Sequence, residues 1–103
     1  MYAALPKSDE IIIIGKQLMR SATSTAANFR AACRGRSHRE FRAKLSITVE
    51  EADETVFWLE MLRDTGLVAA ERLVNLEEEA LSVLKIVAKM RKNAYKNVKL
   101  TRN

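Results

Sequence analysis

Four acidic residues in one short segment are the side chains best suited to metal binding or acid–base chemistry. They are Glu50, Glu51, Asp53 and Glu54. On a helix, a spacing of four places Glu50 and Glu54 on one face. A carboxylate-bridged metal pair in a helix bundle also uses Glu-x-x-His motifs from other helices, and this sequence has none. Pairing with arginines is favoured, a solvated surface is the next alternative, and we predict no catalytic, metal-binding or cofactor-binding residue.

Histidine and cysteine, two further residue types used in catalysis, each occur once. The pattern around His38 offers no zinc ligands, so we predict a solvated histidine. Cys33 is predicted to be a small buried apolar residue and not a reactive thiol. The sequence also lacks a glycine-rich phosphate loop. We therefore expect the protein not to be an enzyme.

Charge is segregated along the chain, whose formal net charge is +5. In residues 16–44, every charged residue except Glu40 is basic. In residues 50–64 the charged residues are mainly acidic, and residues 85–103 contain no acidic residue. The first basic block provides candidate nucleic-acid-binding residues. They are Arg30, Arg34, Arg36, Arg39, Arg42 and Lys44.

Three interpretations of this basic block remain open. Each Lys or Arg that neutralises a phosphate releases a counterion, so a basic cluster can bind a polyanion. The same cluster can pair with the acidic block of a neighbouring helix or subunit, or it can be a solvated face. The aromatic residues are scattered, so the alternation of aromatic and basic side chains typical of a base-stacking surface does not support the first interpretation.

The elements that position these residues are predicted to be helices. With 103 residues, three glycines and one proline, the chain fits a single all-α domain. Apolar residues at spacings of three and four predict helices over residues 9–34, 37–64 and 69–93, with residues 1–8 as a remnant or linker and residues 94–103 as a frayed basic tail. Short connections between three long helices predict an antiparallel up-down helix bundle. The longest apolar run, Ile11–Ile14, is too short to span a membrane, and we expect a cytoplasmic protein.

Local signals mark the ends of these helices. Ser37 and Glu40 match a capping box, in which the serine side chain and the glutamate side chain each bond to the other residue's amide. Ser8 is placed to cap the first helix, while Gly35 and Gly66 follow the first and second helices as stop signals.

The first predicted helix is unusual because its alanines and serines leave little side-chain volume. Its predicted apolar face contains Leu18, Ala22, Phe29 and Cys33. A polar stripe of Arg20, Ser21, Ser24 and Asn28 favours close polar contact. Trp58 suits either the core or a subunit interface. The predicted oligomer or helix contacts are Arg20, Ser24, Asn28, Glu51, Glu54 and Trp58.

Four motifs carry a family resemblance. They are G-x-Q-L-x-R-S-x-T-S-x-x-A-N at 15–28, R-x-R-S-x-x-E-F at 34–41, K-L-S at 44–46 and E-E-A-D-E-T-x-F-W-L-E at 50–60. The sequence resembles the bacterial four-helix-bundle family that includes proteins encoded in intervening sequences of 23S rRNA genes. More distantly, it resembles the accessory variability protein of diversity-generating retroelements. The residues on family motif positions are Arg20, Ser24, Asn28, Arg34, Arg36, Ser37, Lys44, Glu51, Glu54 and Trp58.

The resemblance implies a non-enzymatic bundle that forms a ring-like homo-oligomer, typically a pentamer. In the retroelement relatives, the basic surface is associated with nucleic acid and a reverse transcriptase. Family members carry a helix before the L-P-K-S segment, whereas only residues 1–5 precede Pro6 here. We therefore expect most of the first helix to be lacking and an apolar groove to be open.

The predicted function is a self-assembling helical scaffold whose basic rim engages nucleic acid, RNA in particular. The alternative is a purely structural or protein-binding homo-oligomer whose basic and acidic blocks pair between subunits. We expect neither a membrane nor a small-molecule substrate among its partners.

Overall fold

The computed structural model describes the chain over residues 7–101, and the side chains of residues 9–96. Three helices follow one another: α1 (Lys7–Cys33), α2 (His38–Asp64) and α3 (Ala70–Thr101). No strand occurs within these described residues, so the chain is all-helical there. The molecule is elongated, with extents of 59 × 21 × 21 Å, because each long helix advances about 1.5 Å per residue.

Helix α1 begins slightly earlier than the apolar periodicity predicts. It starts at Lys7, so Ser8 lies inside the helix and is not its N-cap residue. Asp9 and Glu10 occupy the first turn, where negative charge interacts favourably with the positive end of the helix dipole. Residues 1–8 were predicted to be a remnant or linker, and residues 1–6 of that segment lie outside the described part of the chain.

The turn between α1 and α2 is set by the predicted capping serine. Ser37 is extended, with φ −146° and ψ 163°, and its hydroxyl accepts a 3.1 Å hydrogen bond from the Glu40 amide. The Glu40 carboxylate accepts a 3.1 Å hydrogen bond from the Arg36 amide, whereas the predicted capping box used the Ser37 amide. A Cβ on Gly35 would lie 3.2 Å from both the Ala32 carbonyl oxygen and the Phe41 nitrogen. Close backbone approach therefore favours glycine at position 35.

The turn between α2 and α3 needs glycine for a different reason. Thr65 caps the end of α2, and its hydroxyl donates to the Met61 carbonyl at 2.6 Å. Gly66 has φ 72°, in the left-handed region that strains residues with a Cβ. The predicted stop signal at this position is therefore explained by backbone conformation.

Helix α3 continues to Thr101, well past its predicted end at residue 93. The prediction of a frayed tail is thus wrong for residues 94–101, while residues 102 and 103 lie outside the described part. Ala94 is buried with 4% exposure and joins a core cluster. Its carbonyl oxygen also lies 3.0 Å from His38 Nε2. These tertiary contacts hold α3 helical where local periodicity is weak.

The buried face of α1 agrees only in part with the predicted face. Leu18 and Phe29 pack against the two core clusters, as predicted. Ser21 and Ala32 are buried at 0% and 2% exposure, whereas Ala22 and Cys33 are exposed. The predictions of a core-facing Ala22 and a buried Cys33 are therefore wrong. A polar residue, Ser21, is buried at the contact with α2, a position that apolar periodicity alone does not identify.

Helix α2 lies between the other two helices and packs against both. One core cluster joins Ala32 of α1, Leu45 of α2 and Val87 of α3. The other joins Ile14 of α1 with Leu59 and Leu62 near the end of α2, and with Leu73 of α3. Residues early in α1 thus meet residues late in α2, and residues late in α1 meet residues early in α2.

Helices α1 and α3 leave an open apolar groove between them. In the described residues, no Cα of α1 comes within 8 Å of a Cα of α3. The groove has a volume of about 440 Å³ and is lined by small and apolar side chains that include Ala22, Ala26, Ala52, Val83 and Ile86. Ile86 is 61% exposed and Val83 is 44% exposed. No helix among the described residues is both long enough and apolar enough to cross a membrane.

Candidate nucleic-acid interface

Two basic segments that are distant in sequence meet at one end of the molecule. His38 Nε2 lies 3.0 Å from the Ala94 carbonyl oxygen, and the Arg42 Cζ lies 5.1 Å from the ring centroid of Tyr95. These contacts place the start of α2 beside the last turns of α3. We call this region the basic end. It comprises Arg30, Arg34, Arg36, Arg39, Arg42, Lys44, Arg91, Lys92 and Lys96.

The six predicted nucleic-acid-binding residues all lie at this end, on the last turn of α1, the connecting turn and the first two turns of α2. Arg30, Arg34, Arg36, Arg39 and Lys44 are exposed. Arg42 differs because it is half-buried and packs on Tyr95. Its Nε is buried without a hydrogen-bond partner among the described residues.

The cations of the basic end are not neutralised by carboxylates of the described chain. Among the described residues, the side-chain ion pairs involve Arg20 and Arg63, and neither arginine belongs to the basic end. The nearby Glu40 carboxylate accepts from the Arg36 backbone amide. Unpaired positive charges that share one surface create the potential that attracts a polyanion.

Tyr95 lies in an open groove at the basic end that sequence reasoning missed. The groove has a volume of about 760 Å³ and is lined by Ser46, Ala88, Arg91, Lys92, Tyr95 and Lys96. Tyr95 is 46% exposed. The missed sequence signal was a continuation of the apolar spacing, because Val87 and Ala94 are seven residues apart. Both residues are buried.

His38, predicted to be merely solvated, takes part in joining α2 to α3. Although the residue is exposed, its Nε2 reaches the Ala94 carbonyl oxygen. Its ring also lies 5.9 Å from the ring of Phe41, centroid to centroid. The side chain therefore helps to position the last turns of α3 at the basic end.

The predicted contact residues of the acidic block meet Arg20 across the α1–α2 interface. Arg20 Nη1 donates to Glu51 Oε1 at 3.1 Å, and Arg20 also forms an ion pair with Glu54. Trp58 Nε1 donates to Glu54 Oε2 at 3.2 Å, and Gln17 Oε1 accepts from Arg20 Nε at 3.2 Å. We call these five residues the Arg20 network. Its carboxylates face a guanidinium and an indole N–H, an arrangement that joins two helices and supplies no acid–base pair.

Ser24 and Asn28, the other predicted contact residues, bond to each other within α1. Asn28 Nδ2 donates to the Ser24 carbonyl oxygen at 2.9 Å. The close polar contact with α2 is made instead by Ser21, whose Oγ lies 3.1 Å from Thr55 Oγ1. Ser21 is fully buried, and so small a residue lets the two helices approach closely.

The opposite end of the molecule is acidic. Arg63 lies between Asp64 and Glu77, at 3.0 Å and 2.5 Å. The hydrogen bond with Asp64, and then the charges of Asp64 and Glu77, raise the pKa of Arg63 above its ordinary value. We call this region the acidic end. It comprises Asp9, Glu10, Glu60, Asp64, Glu71, Glu77, Glu78 and Glu79.

Comparison with known proteins places the chain in a family. The sequence model described as 23S rRNA-intervening sequence protein matches residues 1–89. A crystal structure of a protein with unknown function from the S23 ribosomal protein family of Bacteroides thetaiotaomicron VPI-5482 is 34% identical, with a TM-score of 0.73. The match covers 78% of this chain and 71% of that one. No curated protein matches the chain. Because the family match covers most of the sequence, the chain belongs to the 23S rRNA-intervening sequence protein family.

Proposed function

We propose that this protein is a non-enzymatic, self-assembling helical scaffold of the cytoplasm whose basic end binds nucleic acid, RNA in particular. The observation that carries this proposal is the convergence of two basic segments on one end of the bundle. The cations there form no ion pair with a carboxylate of the described chain. Each cation that neutralises a phosphate releases a counterion, which makes binding favourable at low salt.

The scaffold is an antiparallel up-down bundle in this proposal. Ile14 clusters with Leu59 and Leu62, whereas Ala32 clusters with Leu45. Arg63, at the end of α2, pairs with Glu77 early in α3, and Arg42 packs on Tyr95 late in α3. This order of contacts supports successive helices that run in opposite directions.

Self-assembly is supported by the open groove between α1 and α3. Its exposed apolar side chains, Val83 and Ile86, lie beside alanines that allow a partner helix to approach closely. Contiguous exposed apolar surface of this kind marks interaction sites. The family resemblance favours a pentameric ring as the assembled form.

The alternative function is a purely structural or protein-binding homo-oligomer without nucleic acid. The separation of a basic end from an acidic end along a 59 Å molecule favours it. Head-to-tail contacts between unlike surfaces generate rings when the rotation closes. In that case the basic end of one subunit meets the acidic end of the next.

Fluorescence anisotropy with a labelled single-stranded RNA at two salt concentrations tests the leading proposal. The double variant Arg36→Gln/Arg39→Gln removes two cations from the basic end. The matched control, Lys16→Gln/Arg72→Gln, removes two exposed cations elsewhere. We expect the slope of log affinity against log salt to become shallower by about 1.4 in the first variant and to stay unchanged in the control. Absence of salt-sensitive binding by the unmodified protein would contradict the proposal.

Light scattering of a charge-reversal variant separates the two functions. Arg34→Glu/Arg36→Glu dissociates the assembly if these residues pair with a neighbouring subunit. Under the nucleic-acid proposal, the same variant loses RNA binding and retains its mass in solution. A monomeric unmodified protein would contradict both functions.

A further inference from the structure

The groove around Tyr95 differs from the rest of the basic end because it combines an exposed aromatic ring with several cations. We propose that this groove is a subsite for single-stranded polynucleotide, in which a base stacks on Tyr95 and the flanking phosphates contact Arg91, Lys92 and Lys96. The inference rests on the proposed nucleic-acid function and specifies the form of ligand and the residue that contacts the base.

The ring of Tyr95 is accessible and held in place. The residue is 46% exposed, although its position on α3 is next to the buried Ala94. Its hydroxyl lies 3.4 Å from Ser46 Oγ on α2, and the Arg42 guanidinium lies over the ring with Cζ 5.1 Å from the centroid. A ring restrained from one side loses little conformational freedom when a base stacks on its remaining open surface.

Three cations lie close to Tyr95 in the sequence of α3. Arg91 and Lys92 precede Tyr95 by four and three residues, so they share its face of α3, and Lys96 follows it directly. All three line the same groove as Tyr95. None forms an ion pair with a carboxylate among the described residues. The groove therefore offers positive charge beside a stacking surface, the combination that binds single strands.

Single-stranded ligand is favoured over duplex because of the aromatic ring. In a duplex, each base is already stacked between its neighbours, whereas unpaired bases can be splayed out and stacked on aromatic side chains. A purely phosphate-binding surface would need only the cations. The exposed ring of Tyr95 in the lining of the groove thus points to contact with bases.

The first test requires no variant. The affinities of three labelled oligonucleotides of about 10 nucleotides are compared. They are a single strand with bases, a single strand of the same length with abasic sites, and a duplex. RNA and DNA versions of the single strand are titrated separately, which identifies the type of polynucleotide bound. We expect the base-containing strand to bind more tightly than the abasic strand, because stacking contributes only where bases are present. Equal affinity for the two strands would overturn the inference.

The second test replaces the ring. Tyr95→Leu is expected to weaken binding of the base-containing strand about 5- to 100-fold, and to leave binding of the abasic strand unchanged. Tyr95→Phe retains the ring and should retain the affinity. Phe57→Leu is the matched control, because Phe57 is 47% exposed on α2 outside this groove. Circular dichroism verifies that each variant keeps its helix content. If a helical Tyr95→Leu binds the base-containing strand as well as Phe57→Leu does, the inference is wrong.

The third test removes charge from the groove. Lys92→Gln/Lys96→Gln should make the salt slope shallower by about 1.4 for base-containing and abasic strands alike. An unchanged slope would contradict a role for these lysines as phosphate contacts. The failures are distinguishable: if no oligonucleotide binds at low salt, the proposed nucleic-acid function itself fails. If oligonucleotides bind independently of Tyr95 and of the groove lysines, only the subsite is overturned.

Discussion

Two arginines in similar helical settings have opposite surroundings. Arg20, at the α1–α2 interface, has Glu51, Glu54 and Gln17 as partners. Arg42, at the basic end, has an aromatic ring beside it and a buried Nε without a partner in the described chain. The charge of Arg20 is used to join two helices. Arg42 and its basic neighbours have no carboxylate partner in the described chain, and this contrast supports the proposed interaction surface at the basic end.

The largest expected effect concerns the core beneath the basic end. Leu45 is fully buried in the cluster that joins all three helices there. Leu45→Ala should lower the free energy of unfolding by about 3 kcal/mol, because it removes buried apolar surface and leaves a cavity. Urea denaturation measures the change. Leu81→Ala, at a residue with 40% exposure, is the control and should cost much less. Equal losses would mean that α3 does not pack on α2 through this cluster.

The next effect tests the ion-paired side of the comparison. Arg20→Met keeps an unbranched apolar side chain and leaves Glu51 and Glu54 without their cation. Their side chains are 22% and 38% exposed, so solvent limits the loss to about 1 kcal/mol in the free energy of unfolding. High salt should reduce the difference, since it screens exposed charges. A variant as stable as the unmodified protein would show that the Arg20 network contributes nothing measurable.

The smallest expected effect on stability comes from Arg42→Met. The cation–π contact is worth about 0.5–1 kcal/mol, and loss of the unpartnered buried Nε partly offsets it. Stability should therefore change by less than about 0.5 kcal/mol, whereas RNA affinity falls and the salt slope becomes shallower by about 0.7. Denaturation and anisotropy on one protein preparation check both parts. A larger loss of stability than for Arg20→Met would reverse the comparison between the two arginines.

The candidate site was only partly predictable from sequence. The basic cluster around Arg36 and Arg39 follows from the sequence alone, since the two residues are three positions apart, one in the turn before α2 and one in the first turn of α2. Tyr95 was missed because α3 was predicted to end at residue 93. The seven-residue spacing from Val87 includes Ala94 in the apolar pattern but does not by itself establish that Ala94 is buried. Its burial depends on contacts with α2, which are non-local. Ser21 was predicted to make a close polar contact, and it does so with Thr55. Its full burial was not predicted, because the periodicity of apolar residues does not reveal a buried serine.

By itself the sequence determined the helices and their connections, because capping hydrogen bonds, glycine conformation and apolar spacing act over a few residues. Ser37 starts α2, and Gly66 reverses the chain just after the end of α2, through such local interactions. Only the tertiary structure decided that Ser21 and not Ala22 is buried on α1, how far α3 continues and which basic segments share one end. These features depend on packing between residues far apart in the chain. The meeting of Arg42 with Tyr95 is one result of that packing.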